Sequence, residues 1–130
     1  MTITNAGRVN FSKLIGGVAT GTVMAYLAYG TGTAAAAAAN TALGTEVDRA
    51  LAASQLISVL APQDTYRFAV IMDTAAVSVV SEIGLFTAAV AGTMMNRLVL
   101  DNYQTTVVGG KILIVMDLTV YDGGESGSGC

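Results

Sequence analysis

The sequence predicts a mainly β fold, an antiparallel β-sandwich or barrel-like domain with one short N-terminal helix. Beyond Glu46, apolar and polar residues alternate with a period close to two, which is the pattern of strands that bury one face. The apolar runs are short and turn residues separate them, as in sandwiches and barrels. A chain of 130 residues is long enough for one core. We therefore expect a single domain over residues 1–121 and a flexible Gly- and Ser-rich tail over residues 122–130.

The predicted helix lies close to the N-terminus. Asn10 is a residue type that caps helices, and the glycine pair at 16–17 is expected to end this one. Three apolar residues follow the i, i+3, i+4 spacing of a single buried face: Phe11, Leu14 and Ile15. The sequence therefore predicts a short helix that packs through these three side chains.

A long loop is expected after the first predicted strand of the domain, residues 23–29. The Gly-Thr-Gly-Thr segment at 30–33 ends that strand. Alanine favours helix, but the alanine run at 34–39 is too short to hold a helix alone. We expect a surface loop with one helical turn, closed by residues 40–44 and anchored by Leu43.

The middle of the chain predicts strands joined by tight turns. Residues 46–60 are expected to form either a pair of strands or one long bent strand, followed by a turn at 62–64. The next strand covers residues 66–73. Its alternation should turn four side chains to one face: Tyr66, Phe68, Val70 and Met72.

Three further strands are predicted in the last third of the domain. Residues 77–86 and 93–100 flank an Ala-Gly pair at 91–92, which indicates a hairpin. Asp101 favours the start of a loop, and a final strand is expected over residues 111–121.

The composition indicates a surface that other protein molecules cover. Hydrophobic residues make up 53% of the chain and charged residues 12%, against the roughly 25% charged that is typical of soluble domains. Either a membrane or an assembly would keep such a surface from water. The uncharged stretch at 14–39 is interrupted by glycines, and its densest apolar piece is shorter than the ~20 residues of a membrane helix. We therefore expect an assembly and no membrane span.

The residue types themselves exclude several classes of chemistry. The chain has no His and a single Cys, Cys130, which excludes imidazole metal sites, His-dependent triads and an internal disulfide. The net charge is −3 and the cationic residues are scattered, which argues against nucleic-acid binding. Residues 30–33 lack the Lys-Ser/Thr of a phosphate loop. We expect no enzymatic activity, no cofactor and no metal site.

Glu82 is a carboxylate inside an apolar run, where an ionised group is unfavourable unless it is paired. One interpretation is a catalytic acid. No second titratable group accompanies it in the sequence, so the favoured interpretation is a structural ion pair with Arg49 or Arg97, or hydrogen bonds to loop amides.

Aromatic side chains are the candidates for subunit contacts, because Tyr and Phe are enriched in the centres of interfaces. The candidates are Tyr26, Tyr29, Tyr66, Phe68 and Tyr103. The alternative is that about half of them fill the core, and the sequence does not separate the two sets.

Four segments in order carry a resemblance: Thr-Asn-Ala-Gly-Arg at 4–8, Tyr-Gly-Thr-Gly-Thr at 29–33, Thr-Ala-Leu-Gly-Thr-Glu-Val at 41–47 and Ser-Glu-Ile-Gly-Leu-Phe at 81–86. The segment at 92–97 fits the same pattern. Together they resemble small virion structural proteins of tailed bacteriophages, a tail-fibre-like or decoration-like family, over nearly the whole chain. The resemblance implies a β-rich virion component without catalysis. The chain departs from the family at 34–39, where relatives have Pro and Asp.

The resemblance and the scarcity of charge lead to an expected function. We expect a virion protein that decorates the capsid as a cement protein and self-associates, with a trimer favoured, on the major capsid protein. A tail, baseplate or fibre component that contacts the host or a tail protein is the alternative, although the chain lacks the long repeats of a fibre. A membrane-inserted or pilus-like subunit that uses residues 14–29 is the least favoured of the three.

Overall fold

A computed structural model describes residues 1–120; the tail expected at 122–130 lies outside the described residues. One helix, α1, covers Asn5–Ile15. The strands, numbered along the chain, are β1 Thr2–Ile3, β2 Tyr26–Gly30, β3 Glu46–Leu51, β4 Ala53–Ile57, β5 Thr65–Thr74, β6 Val79–Phe86, β7 Met94–Thr105 and β8 Gly110–Thr119.

The strands form two antiparallel sheets. The larger sheet has the order β1-β7-β6-β2-β3, and the smaller sheet has the order β4-β5-β8. Only Ala52 separates β3 from β4, yet the two belong to different sheets, so residues 46–57 are a pair of strands and not one bent strand. The prediction of a mainly β, sandwich-like fold with one short N-terminal helix is confirmed.

The main core lies between the two sheets. β5 alternates as the period of two predicted, with Phe68, Val70 and Met72 buried. Tyr66 is the exception. It is 39% exposed, because it lies near the start of β5 beside Leu56, which is itself 53% exposed. The remaining buried side chains of this core are Leu27, Tyr29, Ala52, Val80, Leu85, Met95, Ile114 and Met116.

The opposite face of the larger sheet is covered by α1 and by the loop that joins β2 to β3. Leu43 of this loop is buried against Ala28, Phe86 and Met94, which confirms it as the anchor. The alanine run forms no helical turn. It forms a reverse turn in which the Asn40 N–H donates to the Ala37 carbonyl at 3.0 Å, because the neighbouring elements bind its backbone groups.

The helix begins five residues before its predicted start. Thr4 is the N-cap, and its side chain accepts a hydrogen bond from the Gly7 N–H at 2.9 Å. Asn10 lies inside the helix and is buried. Its side chain bonds to both backbone groups of Thr22, at 2.6 and 2.9 Å, and so holds the segment between α1 and β2.

The predicted buried face of the helix is wrong. Phe11, Leu14 and Ile15 are 46%, 37% and 74% exposed. α1 approaches β7 through Gly7, where a Cβ would lie 2.8 Å from the Met95 Cα. A helix that packs this closely on a strand backbone buries its small and polar face, and its apolar residues are left outside.

β7 is longer than predicted. It continues to Thr105, so the loop expected at Asp101 is wrong. Residues 101–105 are exposed, and Gln104 and Thr105 pair with Val80 and Val79 at the start of β6, beyond a shift in register. Polar side chains are compatible with a strand in such a position. The hairpin at Ala91 and Gly92 is confirmed, since both residues have positive φ, 53° and 75°. Among the described residues, no helix has the length and apolar character needed to cross a membrane.

Candidate assembly surface and its buried framework

Glu82 lies at the centre of the loop-covered face of the larger sheet, with no exposed area. Its Oε1 accepts hydrogen bonds from the Gly32 N–H at 3.0 Å and the Thr45 N–H at 2.7 Å. Its Oε2 accepts from the Gly44 N–H at 2.9 Å and from Arg97 Nε at 2.8 Å. Each carboxylate oxygen therefore accepts two hydrogen bonds, and three of the four come from the loop between β2 and β3.

The hydrogen bonds decide the ionisation of Glu82. Burial alone raises the pKa of a carboxyl. The amides of Thr45 and Gly44, the Arg97 guanidinium and the Gly32 amide more than offset that effect and hold the pKa of Glu82 below its ordinary value of 4.5. The group is therefore a stable anion at neutral pH, which is a poor state for a general acid.

Arg97 extends the same network into the alanine run. Its Nη1 lies 3.3 Å from the Ala35 carbonyl oxygen and 3.2 Å from Asn40 Oδ1. Its side chain is 3% exposed, and its Nη2 has no hydrogen-bond partner within residues 1–120. The conformation of the alanine run is thus set by Arg97 and its neighbours.

Of the two predicted partners of Glu82, the structure brings only Arg97 to it. Arg49 pairs with Glu46 instead, at 2.7 Å, and its guanidinium carbon lies 3.5 Å above the centre of the Phe86 ring. The strand register explains the difference. Gly30 stands opposite both Glu46 and Glu82, whereas Arg49 stands opposite Ala28, further along β2.

Arg49 has a structural role of its own. Its Nη1 donates to the carbonyl oxygens of Ala88 and Ala91, at 2.9 and 2.7 Å. These bonds fasten the hairpin between β6 and β7 to β3.

Five sequence segments meet in this network: 4–8, 29–33, 41–47, 81–86 and 92–97. The Thr4 hydroxyl bonds to the Met94 carbonyl and so ties the first segment to the fifth. Glu82 joins the second, third and fourth segments through Gly32, Gly44 and Thr45, and Arg97 adds the fifth. Gly32 is required for this contact, because a Cβ there would lie 2.5 Å from Glu82 Oε1. Thr4, Glu82 and Arg97 thus connect these five segments.

The five aromatic contact candidates divide into two groups. Tyr29 and Phe68 are 2% and 4% exposed and belong to the core. The prediction that these two residues form subunit contacts is therefore wrong. Burial and the nearby Asp48 raise the pKa of the Tyr29 hydroxyl. Tyr26 is half-buried against the cluster of Ala28, Leu43, Phe86 and Met94. Tyr66 and Tyr103 are 39% and 48% exposed and are placed where a partner could reach them.

The sequence reasoning missed the larger part of the exposed apolar surface. Phe11 of α1 lines a groove of about 540 Å³ together with Met1, Ile3 and Val120. Ile15 and Val9, also on α1, are 74% and 56% exposed. The spacing of Phe11, Leu14 and Ile15 was a correct sign of an apolar stripe, but its partner is not the core of this domain.

No group of three or more His, Cys, Asp or Glu residues that could hold a metal ion is present in residues 1–120. Glu82 is buried with its lone pairs occupied. Comparisons of the chain with models of protein families, with curated proteins and with solved structures gave no match.

Proposed function

We propose that this chain is a non-catalytic structural subunit of a tailed-bacteriophage particle, and that it decorates the capsid as a self-associating cement protein. The observation that carries the proposal is the exposed apolar surface. Apolar side chains such as Ile15, Ile71, Val108 and Leu113 are each more than 60% exposed in a chain with 12% charged residues. Ile71 and Leu113 are also neighbours across β5 and β8, and contiguous exposed apolar surface marks sites that a partner covers.

In the proposed mechanism, the subunit binds its partners by burying apolar surface, and no covalent bond forms or breaks. Apolar area removed from water contributes about 25 cal/mol per Å², so each contact of a few hundred Å² adds several kcal/mol before the losses of association. The Glu82 network supports this role because it fixes a loop of fifteen residues, 31–45, without a helix or a strand. A rigid subunit loses less entropy when it binds.

The family resemblance is the support for placing the subunit in a virion. The buried residues of those segments include Thr4, Leu43, Glu82 and Arg97, and β8 lies outside the segments. We propose the major capsid protein as the partner, with the chain present as a homo-oligomer, for which the sequence favoured a trimer.

The experiment is a reconstruction of particles purified from cells that produce this chain, by electron microscopy, together with a count of copies per particle. Copies spread regularly over the shell are expected. Copies confined to the tail would contradict the decoration role and support the alternative, a tail, baseplate or fibre component. A chain that neither self-associates nor sediments with any particle would contradict both.

A further inference from the structure

The smaller sheet has a face that points away from the core, and this outer face has a regular arrangement. Antiparallel pairing of β5 with β8 places four cross-strand pairs on it: Arg67 with Asp117, Ala69 with Val115, Ile71 with Leu113, and Asp73 with Lys111. We call these eight residues the outer face. Its centre is apolar, and its two ends are charged.

The apolar centre is open to solvent. Ile71, Leu113 and Val115 are 64%, 63% and 49% exposed, although β-branched and large apolar residues at the centre of a sheet face are usually covered. Beside Ala69 lies a shallow hollow of about 170 Å³, also lined by Ala53 of β4. The face thus combines a ridge of three large apolar side chains with a hollow whose lining includes the small residues Ala53, Ser54 and Ala69.

The charges at the two ends alternate. Arg67 Nε and Nη2 each lie 2.8 Å from an Asp117 carboxylate oxygen, and Lys111 contacts Asp73. Along β5 the positive residue is at one end and the negative residue at the other, and along β8 the order is reversed. The four corners of the face are therefore plus, minus, plus and minus in turn.

This pattern is complementary to itself. If a second copy is turned over about an axis parallel to the strands, Arg67 faces Asp117 of the other copy and Asp73 faces Lys111. If the axis is perpendicular to the strands, Arg67 faces Asp73 and Asp117 faces Lys111. Both two-fold axes within the plane of the sheet place opposite charges together, and aligned sheets pack in these orientations.

The apolar centre matches in the same two orientations. With the axis along the strands, the small Ala69 faces Val115, and Ile71 faces Leu113. With the axis across the strands, Ala69 faces Ile71, and Val115 faces Leu113. In both cases the hollow beside Ala69 receives a large side chain of the other copy, so shape and charge agree.

We propose that the outer face binds the outer face of a second copy of this chain about a two-fold axis in the plane of the contact. This inference rests on the proposed function in that it names one surface of the self-associating subunit. Two ten-residue strands and the five-residue β4 cover roughly 400 Å² per copy, or about 800 Å² in the pair, which is smaller than a standard specific contact. The pair is therefore weak, and a trimer would need a different surface.

The first test compares two exposed apolar residues. Leu113→Glu places a carboxylate at the centre of the outer face, whereas Val90→Glu places one on the 84% exposed hairpin between β6 and β7. We expect the wild type and Val90→Glu to form dimers in sedimentation equilibrium and Leu113→Glu to raise the dissociation constant at least about 30-fold. Equal association of Leu113→Glu and wild type overturns the proposal and indicates another surface, such as the free edge of β8.

The second test inverts all four corners: Arg67→Asp, Asp117→Arg, Asp73→Lys and Lys111→Asp. The inverted variant keeps its net charge and both of its cross-strand ion pairs, and it remains complementary to itself in either orientation. Against the wild type, however, all four corners meet like charges. We expect the variant to self-associate within about threefold of the wild type, and mixed pairs to fall at least about tenfold below the statistical proportion in native mass spectrometry.

Free mixing of the inverted variant with the wild type overturns the proposal. Both proteins keep their ion pairs within the chain, so only a contact between copies would make them avoid each other. A wild type that stays monomeric at about 1 mM also overturns it. Neither result removes the proposed function, because binding to particles is measured separately by reconstruction. Loss of particle binding with the pair intact would in turn contradict the function and leave this contact standing.

Discussion

At the scale of single residues, Glu82 determines the conformation of a loop that has no regular structure of its own. Four donors surround one carboxylate, and three of them are backbone N–H groups. A buried backbone N–H without a partner is unfavourable, so the carboxylate stabilises the loop as much as the loop stabilises the carboxylate. The sequence predicted that Glu82 is buried and paired. An arginine and loop amides were expected as its partners because a buried carboxylate needs a positive charge or hydrogen-bond donors.

We expect Glu82→Gln to lower the free energy of unfolding by about 3 kcal/mol, because it leaves Arg97 as an uncompensated buried charge and turns an amide N–H₂ toward other donors. Urea unfolding at neutral pH measures the change. Glu46→Gln is the matched control. It removes the Glu46–Arg49 pair, whose carboxylate is 31% exposed, and we expect a loss of about 1 kcal/mol or less. Equal losses in the two variants would contradict the structural importance of the buried pair.

The lowered pKa of Glu82 also predicts the direction of the pH dependence. A carboxyl whose pKa is lower in the folded state stabilises the fold above its ordinary value, here 4.5, and this contribution is lost as the pH falls from 4.5 through the folded-state pKa. The difference in unfolding free energy between wild type and Glu82→Gln should therefore shrink below pH 4.5, as the wild-type carboxyl becomes neutral.

Asp64 gives both proteins a second, shared loss of stability in acid. The amide of Val59, with those of Ala61 and Leu60 and the Thr65 hydroxyl, lowers the pKa of Asp64 to about 2 from 3.8, against the opposing effect of burial. The unfolding free energy of both proteins should therefore fall as the pH drops from 3.8 to about 2. Because this loss is shared, the difference between the two proteins reports on Glu82 alone. A difference that stays constant down to pH 2 would show that the hydrogen bonds of Glu82 matter and its charge does not.

At the scale of elements, the chain shows where patterns of residues predict structure well and where they fail. β5 and the hairpin at 91–92 were predicted because period-two alternation and positive-φ turn positions are local properties. The start of α1 was missed because the rule assumes that the apolar side of a helix is buried. Here a glycine allows the backbone of the helix to meet β7, and the apolar side faces outward. The pairing of β7 with β6 likewise extends a strand through polar residues.

The role of Asn10 within α1 leads to a prediction about the segment between α1 and β2. We expect Asn10→Ala to increase the hydrogen-exchange rate of the Thr22 amide by at least about tenfold, because the Asn10 side chain satisfies both backbone groups of Thr22. Ser12→Ala, an exposed change on the same helix, should leave the rate unchanged. The exchange of β5 amides, measured in the same experiment, should be similar in both variants. Uniformly faster exchange throughout Asn10→Ala would instead indicate that the whole domain is destabilised.

At the scale of the whole molecule, the scarcity of charged residues corresponds to a surface with many exposed apolar side chains. The core accommodates one set of apolar residues of the sheets, and other apolar residues are exposed on α1, on the outer face of the smaller sheet and in loops, such as Val90 and Val108. The sequence predicted that such a surface exists, but not where it lies, because the position depends on which face of each element the two sheets bury. Only the register of β5 and β8 brings Ile71, Leu113 and Val115 together.

A self-associating fold should become more stable as its concentration rises, because association through a folded face removes folded monomer from the unfolding equilibrium. Above the dissociation constant, each tenfold increase in concentration adds about 1.4 kcal/mol per dimer, which corresponds to a rise of roughly 2–4 °C in the melting temperature of a domain this size. Scanning calorimetry at two concentrations a decade apart measures the shift. Leu113→Glu should lose the shift and Val90→Glu should keep it, whereas a melting temperature independent of concentration in the wild type would mean that its contacts do not depend on the folded sheet.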